Sequence, residues 1–163
     1  MVAKFFLRRR VSIALSCCVF ALCAAPILSN RGHAQSSKII LISDESSTRA
    51  VAVHSVTLQR EPFNPTSPMS WGSDNRTRIM LFAVNLELLS GETASSITVR
   101  GTDPRGQSYD LPLEQVGKFA NLTGLSSLIV RLPDDATING DLAINVSLHG
   151  AVSNTVLVAI KAP

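Results

Sequence analysis

Two histidines bound the nucleophilic chemistry open to this chain. Beyond position 34 the sequence holds His54 and His149, many serines and no cysteine, since Cys17, Cys18 and Cys23 all lie earlier. A hydrolytic serine needs a base to take its proton and an acid to orient that base. Both histidines fall within alternating apolar segments, and no G-x-S-x-G elbow occurs, so no catalytic residue is singled out. Asp134, Asp135, Asn139 and Asp141 could offer oxygens to a cation, but D-D-x-x-x-N-G-D lacks the alternate ligand positions and terminal glutamate that calcium loops use. Asn139-Gly140 reads instead as turn chemistry. Neither G-x-x-x-x-G-K nor G-x-G-x-x-G is present, and no pair of carboxylates stands out for glycoside chemistry. The expectation is a non-enzyme with no metal site and no cofactor.

Binding chemistry is better signalled. Residues Arg60 to Asn75 read R-E-P-F-N-P-T-S-P-M-S-W-G-S-D-N, with prolines at 62, 65 and 68 and no hydrophobic period. So long an irregular stretch is unusual in a compact domain and is often functional. Phe63, Met69 and Trp71 are its apolar anchors and form the candidate interaction loop. The competing reading is that the loop folds over the end of the domain and its rings plug the core. With Phe63, Trp71, Phe82, Tyr109 and Phe119 the only rings beyond the leader, an obvious aromatic platform for sugar is missing. Asn75, Asn121 and Asn145 match the glycosylation sequon, a pattern short enough to arise by chance.

The elements that must position these residues begin after a leader. Lys4 and Arg8 to Arg10 precede an uncharged apolar run from Val11 to Leu28, and Gly32-His33-Ala34 supplies a small-x-small ending. These are the three parts of a secretory signal peptide, with cleavage expected after Ala34. The apolar run is also long enough to span a bilayer if retained, so an uncleaved N-terminal anchor is the alternative. A secreted or periplasmic address follows, with no membrane association after cleavage. Five of the 15 basic residues belong to the leader, so the remainder is outnumbered by the 12 acidic ones and the net charge of +3 changes sign. No basic footprint for nucleic acid is left. Residues 35–48 read as a lead-in with a first short strand, and 49–163 as one domain large enough to bury a core without disulfides.

The longest apolar segment, Arg78 to Leu89, repeats every two residues and reads as a central strand. Met80, Phe82, Val84, Leu86 and Leu88 are taken as its core face, because Asn85 and Glu87 sit on the other. Arg49 to Gln59 changes phase between Val51/Val53 and Val56/Leu58, which predicts a bulge at His54-Ser55. Ile97 and Val99 point inward on a strand that reverses at Asp103-Pro104-Arg105-Gly106, the residue preferences of a type I turn. Tyr109, Leu111 and Leu113 mark the return. Glu114 to Phe119 is ambiguous between strand and helical turn, Ser127 to Leu132 is a strand, Leu142, Ile144, Val146 and Leu148 alternate cleanly, and Val156, Val158 and Ile160 complete a last strand. Seven to nine strands without a helix predict an all-β fold, an antiparallel two-sheet immunoglobulin-like sandwich.

The block L-S-S-L-I-V-R-L-P-D-D from Leu125 and the closing G-A-V-S-N-T-V-L-V-A-I-K from Gly150 resemble the C-terminal half of immunoglobulin-like modules of the IPT/TIG kind, which recur in secreted proteins of soil bacteria. The upstream text R-T-R-I-M-L-F-A-V-N-L-E-L-L-S-G-E and Y-D-L-P-L-E-Q-V-G-K resembles their first half, so the likeness runs from Arg49 to Lys161. It implies the sandwich, carries no catalytic residues to transfer, and points to a binding or structural role toward a protein or polysaccharide of the cell envelope. A carbohydrate-binding or adhesion module is the alternative, and a hydrolase with an unrecognised site a third.

Overall fold

The computed structural model describes residues 38–161 apart from 71, 73 and 134–136. The signal-peptide assignment, Trp71, Asp134 and Asp135 therefore lie outside the described residues. What is described is all-β: two antiparallel sheets, ten strands, one 3-10 turn at Ala94–Ser96 and no α-helix among the described residues.

The first sheet runs β1 (Ile40–Leu41), β3 (Arg78–Val84), β7 (Leu125–Arg131), β6 (Leu113–Lys118), with β2 (Ala52–His54) also paired to β3. The second runs β10 (Val156–Ile160), β8 (Gly140–Leu148), β4 (Thr98–Thr102), β5 (Ser108–Asp110), with β9 (Ala151–Val152) paired to β8. Reading β1/β2 as A, β3 as B, β7 as E and β6 as D, against β10, β8, β4 and β5 as G, F, C and C′, gives the strand order of an immunoglobulin sandwich. The strand count exceeds the expected seven to nine because the first edge is broken into two short pieces and β8 carries a two-residue partner.

Each sheet buries one parity of its strands. Ile79, Leu81 and Ala83 of β3 and Leu128 and Val130 of β7 face Val99, Leu142, Ile144, Val146, Val156 and Val158 of the other sheet, all at 2% exposure or less. Gly101 sits in this layer because a Cβ there would come within 3.1 Å of Leu111 and 3.2 Å of Leu142. The alternations assigned to β4, β8 and β10 agree with their burial.

The central strand departs from expectation twice. It stops at Val84, where Asn85 takes φ 60°, and Leu86 then turns inward from outside the ladder at 3% exposure. Its core face is also the opposite one: Met80, Phe82 and Val84 point outward and are half-buried. Phe82 is therefore not a core residue. It stacks on Phe119 with ring centroids 6.1 Å apart. Both faces of this strand are apolar, so period two groups the residues correctly without saying which group is inside.

The bulge at His54-Ser55 is likewise corrected. β2 ends at His54, and the chain reverses through residues 55–57 with Leu58 N–H donating to His54 C=O at 2.9 Å and His54 N–H to Gln59 C=O at 2.8 Å. Ala50, Ala52 and His54 face inward, while Val56 and Leu58 are exposed. The change of phase is a strand end. Past the Asp103 turn, where Gly106 takes φ 83°, the return strand is only three residues long. Leu111 is buried at the crossing between layers, and Leu113 begins β6 of the first sheet. The ambiguous Glu114 to Phe119 segment is thus largely strand.

The outer edge of β10 is closed by its own chain. Ala50 N–H donates to Leu157 C=O at 2.8 Å and Leu157 N–H to Thr48 C=O at 2.8 Å. Phe63 N–H donates to Ala159 C=O at 2.9 Å, Lys161 N–H to Phe63 C=O at 2.9 Å, and Ala159 N–H to a Glu61 carboxylate oxygen at 2.7 Å. The other face of Ala50 pairs with Ser43, so this segment stitches one sheet to the other.

Candidate functional site

Of the three proposed loop anchors, the structure keeps one as a core residue and one at the surface. Phe63 is 3% exposed and bridges in parallel to Ile160, which makes it the plug. Met69 is 59% exposed, and Trp71 lies outside the described residues. The stretch from Arg60 is less irregular than its prolines suggest, because Thr66 pairs with Arg76 and Thr77 N–H donates to Pro65 C=O at 3.0 Å.

A buried cation fixes its far end. Arg78 has the outward parity of Met80 yet its side chain is only 4% exposed, with Ser70, Gly72 and Asp74 packed against it. Its guanidinium grips Glu114 through two bonds, Nε at 2.7 Å and Nη2 at 2.9 Å, and Asp74 through Nη1 at 2.7 Å. The same Nη1 donates to Ser70 Oγ and to Arg76 C=O. Arg131, directly opposite Arg78 in the ladder, shares Asp74 at 2.9 Å. The bond from Arg78 holds the Asp74 carboxyl below its ordinary value, and the bond to Glu114 raises Arg78. Without those carboxylates two arginines opposed across a ladder would repel.

Between this clamp and the Phe63 plug, at the end of the sandwich where β2 stops and β3 starts, lies a cavity of about 330 Å³. His54, Thr77 and Phe63 form its buried floor, and Thr57, Gln59, Arg60, Asn64, Thr66 and Ser67 bring polar groups to its walls. Thr77 is 1% exposed and no group bonds its Oγ1; Thr57 Oγ1 is buried and unbonded as well. A buried hydroxyl left without a partner costs about 1 to 3 kcal/mol, a local cost that the fold carries beneath the cavity, since neither atom has surface open to it.

His54 and Ser67 are within hydrogen-bond distance, Nε2 to Oγ 3.2 Å. The polarity of that bond follows from the other ring nitrogen. Nδ1 accepts from the Val56 N–H at 3.1 Å and the Thr57 N–H at 3.2 Å, which puts the ring proton on Nε2. In this tautomer the imidazole donates to Ser67 instead of taking its proton, and Ser67 Oγ in turn lies 3.2 Å from Met69 C=O. His149 is far from this cavity, 2.7 Å from Glu92 on the surface, and holds the Glu92 carboxyl below its ordinary value.

Burial holds the His54 imidazole below its ordinary value. Charging it would also cost it both amide bonds at Nδ1. The unfolded chain therefore binds the proton at a higher pH than the folded one, and stability should fall as the pH drops below about 6.5 until the folded histidine itself protonates. His54→Asn keeps an acceptor near the two amides and removes the titration. Thermal unfolding followed from about pH 8 to 5 should show a decline in the parent that the variant lacks, measured against the carboxylate effects common to both.

Among the described residues no three His, Cys, Asp or Glu side chains group as metal ligands. Asp141, the described acidic member of the candidate calcium loop, is engaged by Arg49 at 2.7 and 3.3 Å. No described helix is long and apolar enough to cross a membrane. Comparison with known proteins returned no matching family model, no matching curated protein and no matching solved structure.

Sequence reasoning reached Phe63 and the loop but missed the cavity, Arg78 and Thr77. A signal existed for the last two. Thr77 has the parity of Ile79 and Leu81, a hydroxyl on the buried face, and Arg78 has the parity of Met80 and Phe82, a charge on the face that was read as core.

Proposed function

We propose that this chain is an exported, non-catalytic binding module whose ligand site is the cavity at the end of the sandwich. The observation that carries the reading is the cavity of about 330 Å³ itself, with Gln59, Arg60, Asn64 and Thr66 exposed around a base that includes the buried Phe63. Apolar walls with a few placed polar groups are the common form of a small-ligand site. The tautomer of His54 supports binding over hydrolysis, because the serine beside it has no base. The basic, apolar and small-residue order of the first 34 residues supports export, and the A-B-E-D and G-F-C-C′ strand order supports the IPT/TIG-like reading of the sequence. A partner in the cell envelope, either a polysaccharide or a small molecule derived from one, belongs to this proposal.

Asn64→Ala tests it. Removing an exposed side chain should leave the thermal midpoint of the free protein nearly unchanged, while a ligand that uses its amide loses a partner. In a thermal-shift screen of sugars, sugar acids, organic acids and amino acids at millimolar concentration, at least one class should stabilise the parent by mass action and do so markedly less in the variant. A screen in which no class shifts the parent, or in which every shift survives the substitution, overturns the assignment of the cavity.

A further inference from the structure

Resting on that reading of the cavity, charge and hydrogen-bonding type narrow the occupant. Arg60 is the sole charged residue among the described residues lining the cavity, and the described ion pairs leave it out: its neighbour Glu61 is turned away, 3.2 Å from Arg49 and bonded to the Ala159 N–H. His54 is held neutral by its amide bonds. An ammonium group would find no carboxylate here, which argues against amino acids and amines. A polyphosphate backbone would find a single cation, too few for phosphate recognition of that kind.

The remaining lining discriminates further. Thr66 carries an exposed hydroxyl, able to donate and accept, and Gln59 and Asn64 add an amide donor and acceptor apiece. Such groups match a body that is itself made of hydroxyls. Pro62, Phe63, Pro68 and Met69 supply apolar surface between them, against which the C–H faces of a ring can lie. A volume of about 330 Å³ lies at the small end of ligand pockets, in keeping with one sugar ring.

We infer that the cavity binds a single sugar ring bearing a carboxylate, a hexuronate, with Arg60 on the carboxylate and Gln59, Asn64 and Thr66 on ring hydroxyls. Arg60 stands at the exposed rim and Phe63 at the buried floor. The carboxylate is therefore at the mouth and a C–H face of the ring is turned inward. The free acid and the terminal residue of an acidic polysaccharide share this chemistry.

Isothermal titration of the full-length protein with galacturonate, glucuronate, galactose and acetate reads the inference, and polygalacturonate separates the two sources. At least one of the two uronates should bind at least about tenfold more tightly than galactose, the size of one charge-assisted bond, and acetate should not register. Arg60→Gln should bring uronate and neutral sugar to similar affinity, and Asn64→Ala should weaken both. Tighter binding per end group to the polymer assigns the polysaccharide as the source; equal binding assigns the free acid. Neutral galactose binding as well as the better uronate, or a preference for uronate that survives Arg60→Gln, overturns the inference and leaves the cavity reading standing. If none of these probes binds while another class in the thermal-shift screen does, the ligand class assigned here is wrong. If nothing binds in either experiment, both readings fall together.

Discussion

Leu128→Ala should lower the free energy of unfolding by about 3 to 5 kcal/mol, and Phe82→Ala by only about 1 to 2 kcal/mol. Leu128 is fully buried and lies opposite Leu81 on one neighbouring strand and Val116 on the other. Deleting three carbons there removes transfer energy and leaves a void that two locked ladders cannot close. Phe82, although larger, points away from the core and loses mainly its half-buried contact with Phe119. Urea unfolding of the two variants gives the comparison, because the order of effects runs against side-chain size. Equal losses, or a larger one for Phe82, would mean that something covers the outward face of the first sheet in solution.

Glu114→Gln should destabilise by about 2 to 3 kcal/mol, and Arg78→Met by less. The guanidinium cannot shed its charge, and its side chain is 4% exposed, so taking away the doubly bonded carboxylate leaves a buried cation with Asp74 as its nearest remaining counter-charge. Removing the cation leaves Glu114 and Asp74 each about one-third exposed, at 34% and 33%, and water can solvate them. The lower end of the range reflects the same partial exposure of Glu114. Denaturant midpoints of the two single variants decide it. If Arg78→Met is the more harmful, the clamp acts by holding Ser70, Asp74 and Arg76 in place, and limited proteolysis of that variant should then cut near them first.

The sequence was most legible where only one parity of a strand is apolar. In β8, Leu142, Ile144, Val146 and Leu148 alternate with Ala143, Asn145 and Ser147, and the buried set follows directly. It was least legible at β3, where Ile79, Leu81 and Ala83 compete with Met80, Phe82 and Val84. Asn85 and Glu87 lie beyond the strand, where the period no longer holds, and so carry no information about its solvent face. Arg78 is inside it and points the other way. At β2 the alternation broke because the chain turned, and single-strand periodicity cannot distinguish a bulge from an ending. The cavity was illegible for a different reason. Its floor joins His54 to Thr77 and its wall comes from residues 57–69, so it exists only once β2 and β3 are paired and Phe63 is seated on β10. No local spacing encodes that meeting.

The closure of β10 bears on how the protein behaves when crowded. A sheet edge with free N–H and C=O groups is a template on which another chain can add a strand, the first step of ordered aggregation. Here the outward amides of Leu157, Ala159 and Lys161 are already occupied by Thr48, Glu61 and Phe63. The chain thus blocks polymer growth along one side of its second sheet with segments that otherwise serve as connections. Any strand-by-strand growth of that sheet would have to begin at its opposite edge, at the three residues of β5 from Ser108 to Asp110, where Arg100 and Asp110 at 3.1 Å place charges beside it.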